Sequence, residues 1–319
     1  MKNLRFLGIF TFCAFFAPCN LAQTPAPSAS QLPFTLKPLG HGVYAAIDDV
    51  KGDAGANAGF VIGDDGVAVI DTFEREAAAK PLLAEIRKLT SLPIKFVVNT
   101  HYHLDHVAGN GVFQSAGAVV IAQRNVGGWI HTENLKFFGK NIKPEQKAEV
   151  EGLAAPDILY ESKLELHLGA RVLEVRFLRG HTGGDSVVEI PDAGVVFCGD
   201  LFWKRTLPNL IDATTSDWTT TLSTLTAFGP KRVFVPGHGD VGSEEDVAAF
   251  RSYLEDLRAW VAPQSKVGKS GDELVAAVMP ELEKKYGDWN FFKYFAKRNI
   301  LDMAAEIRGD KRIPEAMKK

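Results

Sequence analysis

Asn99-Thr100-His101-Tyr102-His103-Leu104-Asp105-His106 places three histidines and an aspartate within six residues. The apolar run Lys95–Asn99 reads as a β-strand, so the cluster occupies the loop where that strand ends. Neutral imidazole nitrogen and carboxylate oxygen are the donors that borderline divalent metals prefer. In an extended segment His101 and His103, two residues apart, point the same way. Asp105 and His106 follow where a turn aims them at a second ion.

The same arrangement recurs outward along the chain. Val67–Ile70 ends at Asp71, and Arg171–Leu178 ends at Arg179-Gly180-His181-Thr182-Gly183-Gly184-Asp185. Val195–Cys198 ends at Gly199-Asp200, and Arg232–Val235 ends at Pro236-Gly237-His238-Gly239. Each strand delivers a metal-ligand type at its C-terminal end, often beside glycine, which lets the backbone turn sharply and approach closely. Five of the eight histidines lie in these motifs, so a chance clustering of core and surface histidines is a poor explanation.

Further strands are predicted at Val43–Ile47, Gly59–Ile62, Val119–Ala122 and Val187–Ile190, with helices at Glu76–Leu89 and Trp218–Phe228. Strands alternating with helices argue for an α/β layered domain. From Ser243 onward the pattern is helical only. Ser243 with Asp246 and Ser270 with Glu273 resemble helix-start boxes, and helices are expected at Ala248–Val261 and Trp289–Ile307.

The N-terminus reads as an export signal. Lys2 and Arg5 precede an apolar run, Phe6–Ala17, too short to span a bilayer comfortably, and a Pro-rich polar stretch follows. The expected division is a signal peptide over 1–22, a linker over 23–33, the main domain over 34–250 and a helical extension over 251–319. A lipid anchor at Cys19 is the rival, weakened by Pro18. Of three cysteines only Cys198 lies outside the leader, so the mature chain is expected to hold no internal disulfide. A net charge of −3 and no Lys/Arg-rich run give no electrostatic footprint for nucleic acid. The expected partner is a small-molecule substrate, without a stable membrane anchor.

Residues 40–240 resemble the metallo-β-lactamase-fold superfamily. The markers are Asp71-Thr72, Thr100-His101-Tyr102-His103-Leu104-Asp105-His106, Gly180-His181-Thr182, Gly199-Asp200 and Gly237-His238, in that order. The resemblance implies a four-layered αββα sandwich with a C-terminal helical extension and metals at one edge of its two sheets. It implies that His101, His103 and His181 hold one ion. Asp105, His106 and His238 would hold the other, with Asp200 bridging and Asp71 orienting the ligand loop. Two Zn2+ per chain are expected, with iron or manganese as alternatives. A hydroxide between the ions would attack an ester, thioester, lactone or amide, with Asp105 orienting it and shuttling its proton.

Asp200 resembles the glyoxalase II-like and lactonase-like branches; the β-lactamases usually carry Cys or Ser there. β-Lactam hydrolysis and a mononuclear iron oxidoreductase of the persulfide dioxygenase type are the alternative functions. Flavodiiron reductases carry glutamate where His103 stands, and a nuclease of the superfamily would want a basic stripe. Cys198, two residues before Asp200, reads as a buried small hydrophobe. Trp203, Lys204 and Arg205 are candidate substrate contacts, with a packed ring beside exposed cations as the plainer reading. The run Trp289, Phe291, Phe292, Tyr294 and Phe295 reads as core packing, or as a wall of the substrate cleft or a dimer face. His41, His131 and His167 lack motif neighbours; His167 lies in a polar/apolar alternating strand and reads as solvent-facing.

Overall fold

A computed structural model describes residues 32–48, 52–228 and 231–316. The expected signal peptide and linker, apart from Leu32 and Pro33, lie outside the described residues. β1 (Phe34–Gly40), β2 (Val43–Asp48), β3 (Ala58–Ile62), β4 (Val67–Ile70), β5 (Ile94–Asn99), β6 (Val119–Gln123) and β7 (Ile158–Tyr160) form one sheet in that order. β8 (Lys163–Leu168), β9 (Arg171–Phe177), β10 (Ser186–Ile190), β11 (Val195–Trp203) and β12 (Val233–His238) form the second, ordered β12-β11-β10-β9-β8. The helices are α1 (Glu76–Leu89), α2 (Leu104–Val107), α3 (Asn110–Ser115), α4 (Arg124–Trp129), α5 (Pro144–Glu151), α6 (Thr215–Thr226), α7 (Glu244–Lys266), α8 (Gly271–Tyr286) and α9 (Phe292–Arg308). A 3-10 turn spans Glu133–Phe138.

The period-2 alternation of the strands sorts their side chains between layers. In β4, Val67 and Val69 face α1 and α3, while Ala68 and Ile70 face the second sheet. From α1, Ala78, Leu82 and Ile86 bury onto the first sheet. Replacing Leu82 with Ala there would cost about 2–5 kcal/mol. On the far side of the second sheet, Trp218 and Leu222 of α6 pack with Phe250 and Tyr253 of α7 and Met303 of α9. The result is the expected αββα sandwich.

The C-terminal helices share that outer core, and α7 runs unbroken across the 250/251 line drawn from the sequence. β1 and β7 were not anticipated. β1 carries Pro38 and Gly40, residues that edge positions tolerate, and β7 is only three residues long.

Strand direction places the site. β4, β5 and β6 are mutually parallel, so their C-terminal ends open on one edge. β11 and β12 are parallel as well. Their register shifts between Phe197 and Gly199 and again before Trp203, so β11 continues past Asp200 instead of ending there. Gly199 at the irregularity has φ +49. A Cβ at that position would lie 2.3 Å from Thr100 Oγ1, so only glycine fits.

Candidate metal centre

His101, His103, His181 and Asp200 converge in one group, and Asp105, His106 and His238 in an adjoining one; within each, the donor atoms lie within 4.8 Å of one another. Asp200 faces both groups. Its Oδ2 is 3.1 Å from His181 Nε2 and 3.6 Å from His101 Nε2. Its Oδ1 is 3.1 Å from His106 Nε2 and 3.5 Å from His238 Nε2. Asp105 Oδ2 is 3.3 Å from His238 Nε2. All seven side chains named from the sequence are therefore brought together.

Hydrogen bonds on the far side of the rings fix which nitrogen faces inward. Asp71 Oδ2 accepts from His106 Nδ1 at 2.8 Å and from Thr100 Oγ1 at 2.7 Å, while Oδ1 accepts from Thr100 N at 2.7 Å. Thr100 Oγ1, its own proton committed to Asp71, accepts from His101 Nδ1 at 3.1 Å. These bonds turn Nε2 of His101 and of His106 inward, toward the donor groups. Such outer partners orient a ligand and raise its basicity. Asp71 holds this place at φ +57, a left-handed backbone that costs a non-glycine residue energy and persists only where its surroundings over-determine it.

The electrostatics call for cations. Burial works against charge on His238, but the Asp200 and Asp105 carboxylates outweigh it and push this imidazole up to about 9. Burial also opposes charge on His106, which Asp200, Asp105 and Asp71 overcome. Burial and the charge at His106 hold His101 well below the ordinary imidazole value. Asp200 stays ionised against burial because His106, His238, His181 and His101 surround it. His101 Nε2, His106 Nε2, His238 Nε2 and Asp200 Oδ1 are buried without a hydrogen-bond partner in the protein. Unpaired buried donors and acceptors of this kind are costly. Nitrogen and carboxylate oxygen aimed at shared points fit divalent metal ions.

Residues that the sequence reading did not single out complete the frame. Asp212 Oδ2 accepts from Tyr102 OH at 2.5 Å, from Lys136 Nζ at 2.5 Å and from His103 Nε2 at 3.3 Å. The last bond turns His103 Nδ1 inward, 3.0 Å from His181 Nε2. Asp185 clasps the His181 loop, accepting from Gly180 N at 3.0 Å and Thr182 N at 2.8 Å. Asn57 donates from Nδ2 to Pro236 O at 2.9 Å and Gly239 O at 2.8 Å, fixing the turn that carries His238.

The donor groups open into a cleft of about 260 Å³ whose lining includes Phe137, Trp203, Phe291 and Phe295. Trp203 stacks on His238 with ring centroids 4.0 Å apart. Lys204 and Arg205, expected on the cleft wall, are not there. Lys204 Nζ turns to Val241 O at 2.8 Å and Asp246 at 3.0 Å. Arg205, at φ +48, pairs with Asp288 outside the cleft. The C-terminal aromatic run divides: Trp289 packs in the core with Tyr253 and Tyr286, while Phe291 and Phe295 face the cleft. Cys198 is fully buried, which pushes its thiol well up.

Comparison with known proteins agrees with this architecture. A sequence model of the metallo-beta-lactamase superfamily matches residues 52–238. A linear primary-alkylsulfatase from a Pseudomonas species is 27% identical over 274 residues, covering 70% of this chain and 51% of that protein. The chain thus spans about half the alkylsulfatase's length. A metallo-beta-lactamase type 2 from Bacteroides fragilis is 24% identical over 209 residues, 63% of this chain and 77% of the relative. A hydroxyacylglutathione hydrolase from Erythrobacter litoralis is 25% identical over 215 residues, 64% of this chain and 74% of the relative. Among solved structures, a metallo-beta-lactamase from Pontibacter korlensis superposes with a TM-score of 0.51 at 25% identity, covering 70% of this chain and 93% of its own. With the sandwich, the ordered histidine and aspartate motifs and the family match over more than half its length, the chain belongs to the metallo-beta-lactamase superfamily.

Proposed function

We propose that this chain is an exported, binuclear zinc hydrolase acting on an ester, thioester, lactone or amide of a small molecule. The observation that carries the reading is Asp200, whose two oxygens face the two donor groups separately. A carboxylate so placed suits a pair of cations shared between three-ligand sets. The hydroxyacylglutathione hydrolase and the β-lactamase among the relatives support acyl chemistry. Export rests on the charged start and the short apolar run at the N-terminus.

Two divalent cations, when held there, lower the pKa of water towards neutrality and withdraw electron density from a substrate oxygen. Asp105, partly exposed at the cleft floor, orients the attacking water and takes its proton. Thr100 and Asp71 hold the imidazoles of His101 and His106 so that their inward nitrogens remain unprotonated when the ions bind. Trp203 covers one face of His238 and excludes water from that side.

Metal quantification on purified protein, followed by turnover assays with lactone, thioester, β-lactam and phosphodiester substrates, tests the proposal. Zinc near two equivalents and acyl turnover that disappears in His103→Ala are expected. One equivalent of iron with oxygen uptake would replace the reading with the oxidoreductase alternative.

A further inference from the structure

Two of the rings on the cleft wall come from beyond the stretch that the superfamily model matches, which ends at residue 238. Phe291 stands 6.1 Å from the His238 ring and 6.4 Å from Trp203, and Phe295 stands 6.5 Å from Trp203 and 5.9 Å from Phe291. Phe291 is 40% exposed and sits at φ +60. A bulky side chain in a left-handed backbone is a steric outlier, and the exposed part of the phenyl ring gains nothing from burial. The ring contacts account for its covered part, and neither the strain nor the open face follows from packing. Both are accounted for if the ring is held open to receive an apolar group.

The charge pattern narrows the group. Among the described residues, no lysine or arginine lines the cleft. Lys136 and Lys204, each next to a lining ring in sequence, are turned to Asp212 and Asp246. Glu74 at the cleft is paired with Arg75 at 2.7 Å. An anionic tail on a substrate would therefore find aromatic faces and no counter-charge beyond the metal-binding groups.

We propose that Trp203, Phe291 and Phe295 form a subsite for the uncharged, apolar acyl group of a neutral ester or lactone. The C-terminal extension thereby sets which substrates the shared metal centre accepts. This assignment rests on the hydrolase reading above, and the test separates the two.

Calorimetry on the zinc-loaded protein would compare three metal-directed probes: acetohydroxamate, hexanohydroxamate and the monohydroxamate of adipic acid, whose chain ends in a carboxylate. A buried methylene adds up to about fourfold in affinity. The hexanoyl probe should bind at least tenfold tighter than the acetyl probe, and the carboxylate-ended probe should lose that advantage. Phe291→Ala should cut the ratio to threefold or less. Phe291→Asn, which suits a left-handed backbone, should do the same in a protein whose fold is not in question. Equal affinities for the first two probes, a preference for the carboxylate-ended one, or a ratio unmoved by both variants would overturn the subsite. Turnover of p-nitrophenyl hexanoate is measured alongside. Chain-length discrimination without turnover of this ester or of the matching hexanoyl thioester, lactone and amide supports the subsite and defeats the hydrolase reading; turnover without discrimination does the reverse.

Discussion

His103 donates its Nε2 proton to Asp212, 109 residues further along the chain, at 3.3 Å. The same carboxylate oxygen takes the Tyr102 hydroxyl and the Lys136 ammonium. One buried acid thus orients a metal ligand and ties the 3-10 turn bearing Phe137 to the ligand loop. Removing an outer partner of this kind weakens metal binding by about 10–100-fold. Asp212→Ala should show that loss in a chelator competition, with Asp212→Asn intermediate. Wild-type affinity in Asp212→Ala would remove Asp212 from the account.

Gly237 bears on the bridge between the donor groups. A methyl at its Cα would stand 1.9 Å from Asp200 Oδ1 and 2.9 Å from the Gly199 carbonyl carbon. Gly237→Ala must therefore displace Asp200 or β11. Its expected effect is a loss of about one metal equivalent per chain, read by elemental analysis, with a normal far-ultraviolet circular dichroism spectrum. Two retained equivalents would show that the bridge tolerates the shift.

Asp105→Ala should lower kcat by about a hundredfold or more, because the proton of the attacking water loses its acceptor. The readout is steady-state turnover on protein with measured metal content. Full activity in a folded, metal-loaded variant would exclude the role assigned to Asp105.

Metal uptake should release protons. His238 titrates near 9 in the metal-free protein, raised from 6.5, so it is charged at neutral pH and must deprotonate to bind. Zinc affinity for the group containing His238 should rise by at least about tenfold per pH unit up to that point, His106 adding to the slope where it too gives up a proton. The sign reverses for metal-free stability: the charged form is favoured by folding, so this contribution is full below pH 6.5 and is lost as pH rises through about 9. Calorimetry in buffers of different ionisation enthalpy measures the released protons. A pH-independent affinity between 6.5 and 9 would contradict the pairing of His238 with Asp200 and Asp105.

The ligands were legible in the sequence because each follows a short apolar strand, and strand direction then dictates a common edge. Asp200 was legible by motif, but not the way β11 runs on through the bulge at Gly199 to Trp203. That continuation takes Lys204 and Arg205 past the cleft, which a strand ending at Cys198 would not. Asp212 carried no signal, since it lies in an irregular loop and acquires meaning only by contact with residues far away in sequence. Phe291 and Trp289 look alike in a run of aromatics. The left-handed backbone at Phe291 sends one ring to the cleft while the other joins Tyr253 in the core.

Counting metal ions tests the central claim most directly. Zinc-loaded, dialysed wild-type protein should hold two equivalents per chain, and His238→Ala should hold about one, bound by His101, His103, His181 and Asp200. A folded wild-type protein that retains no zinc, or a His238→Ala protein that still holds two, would contradict the account.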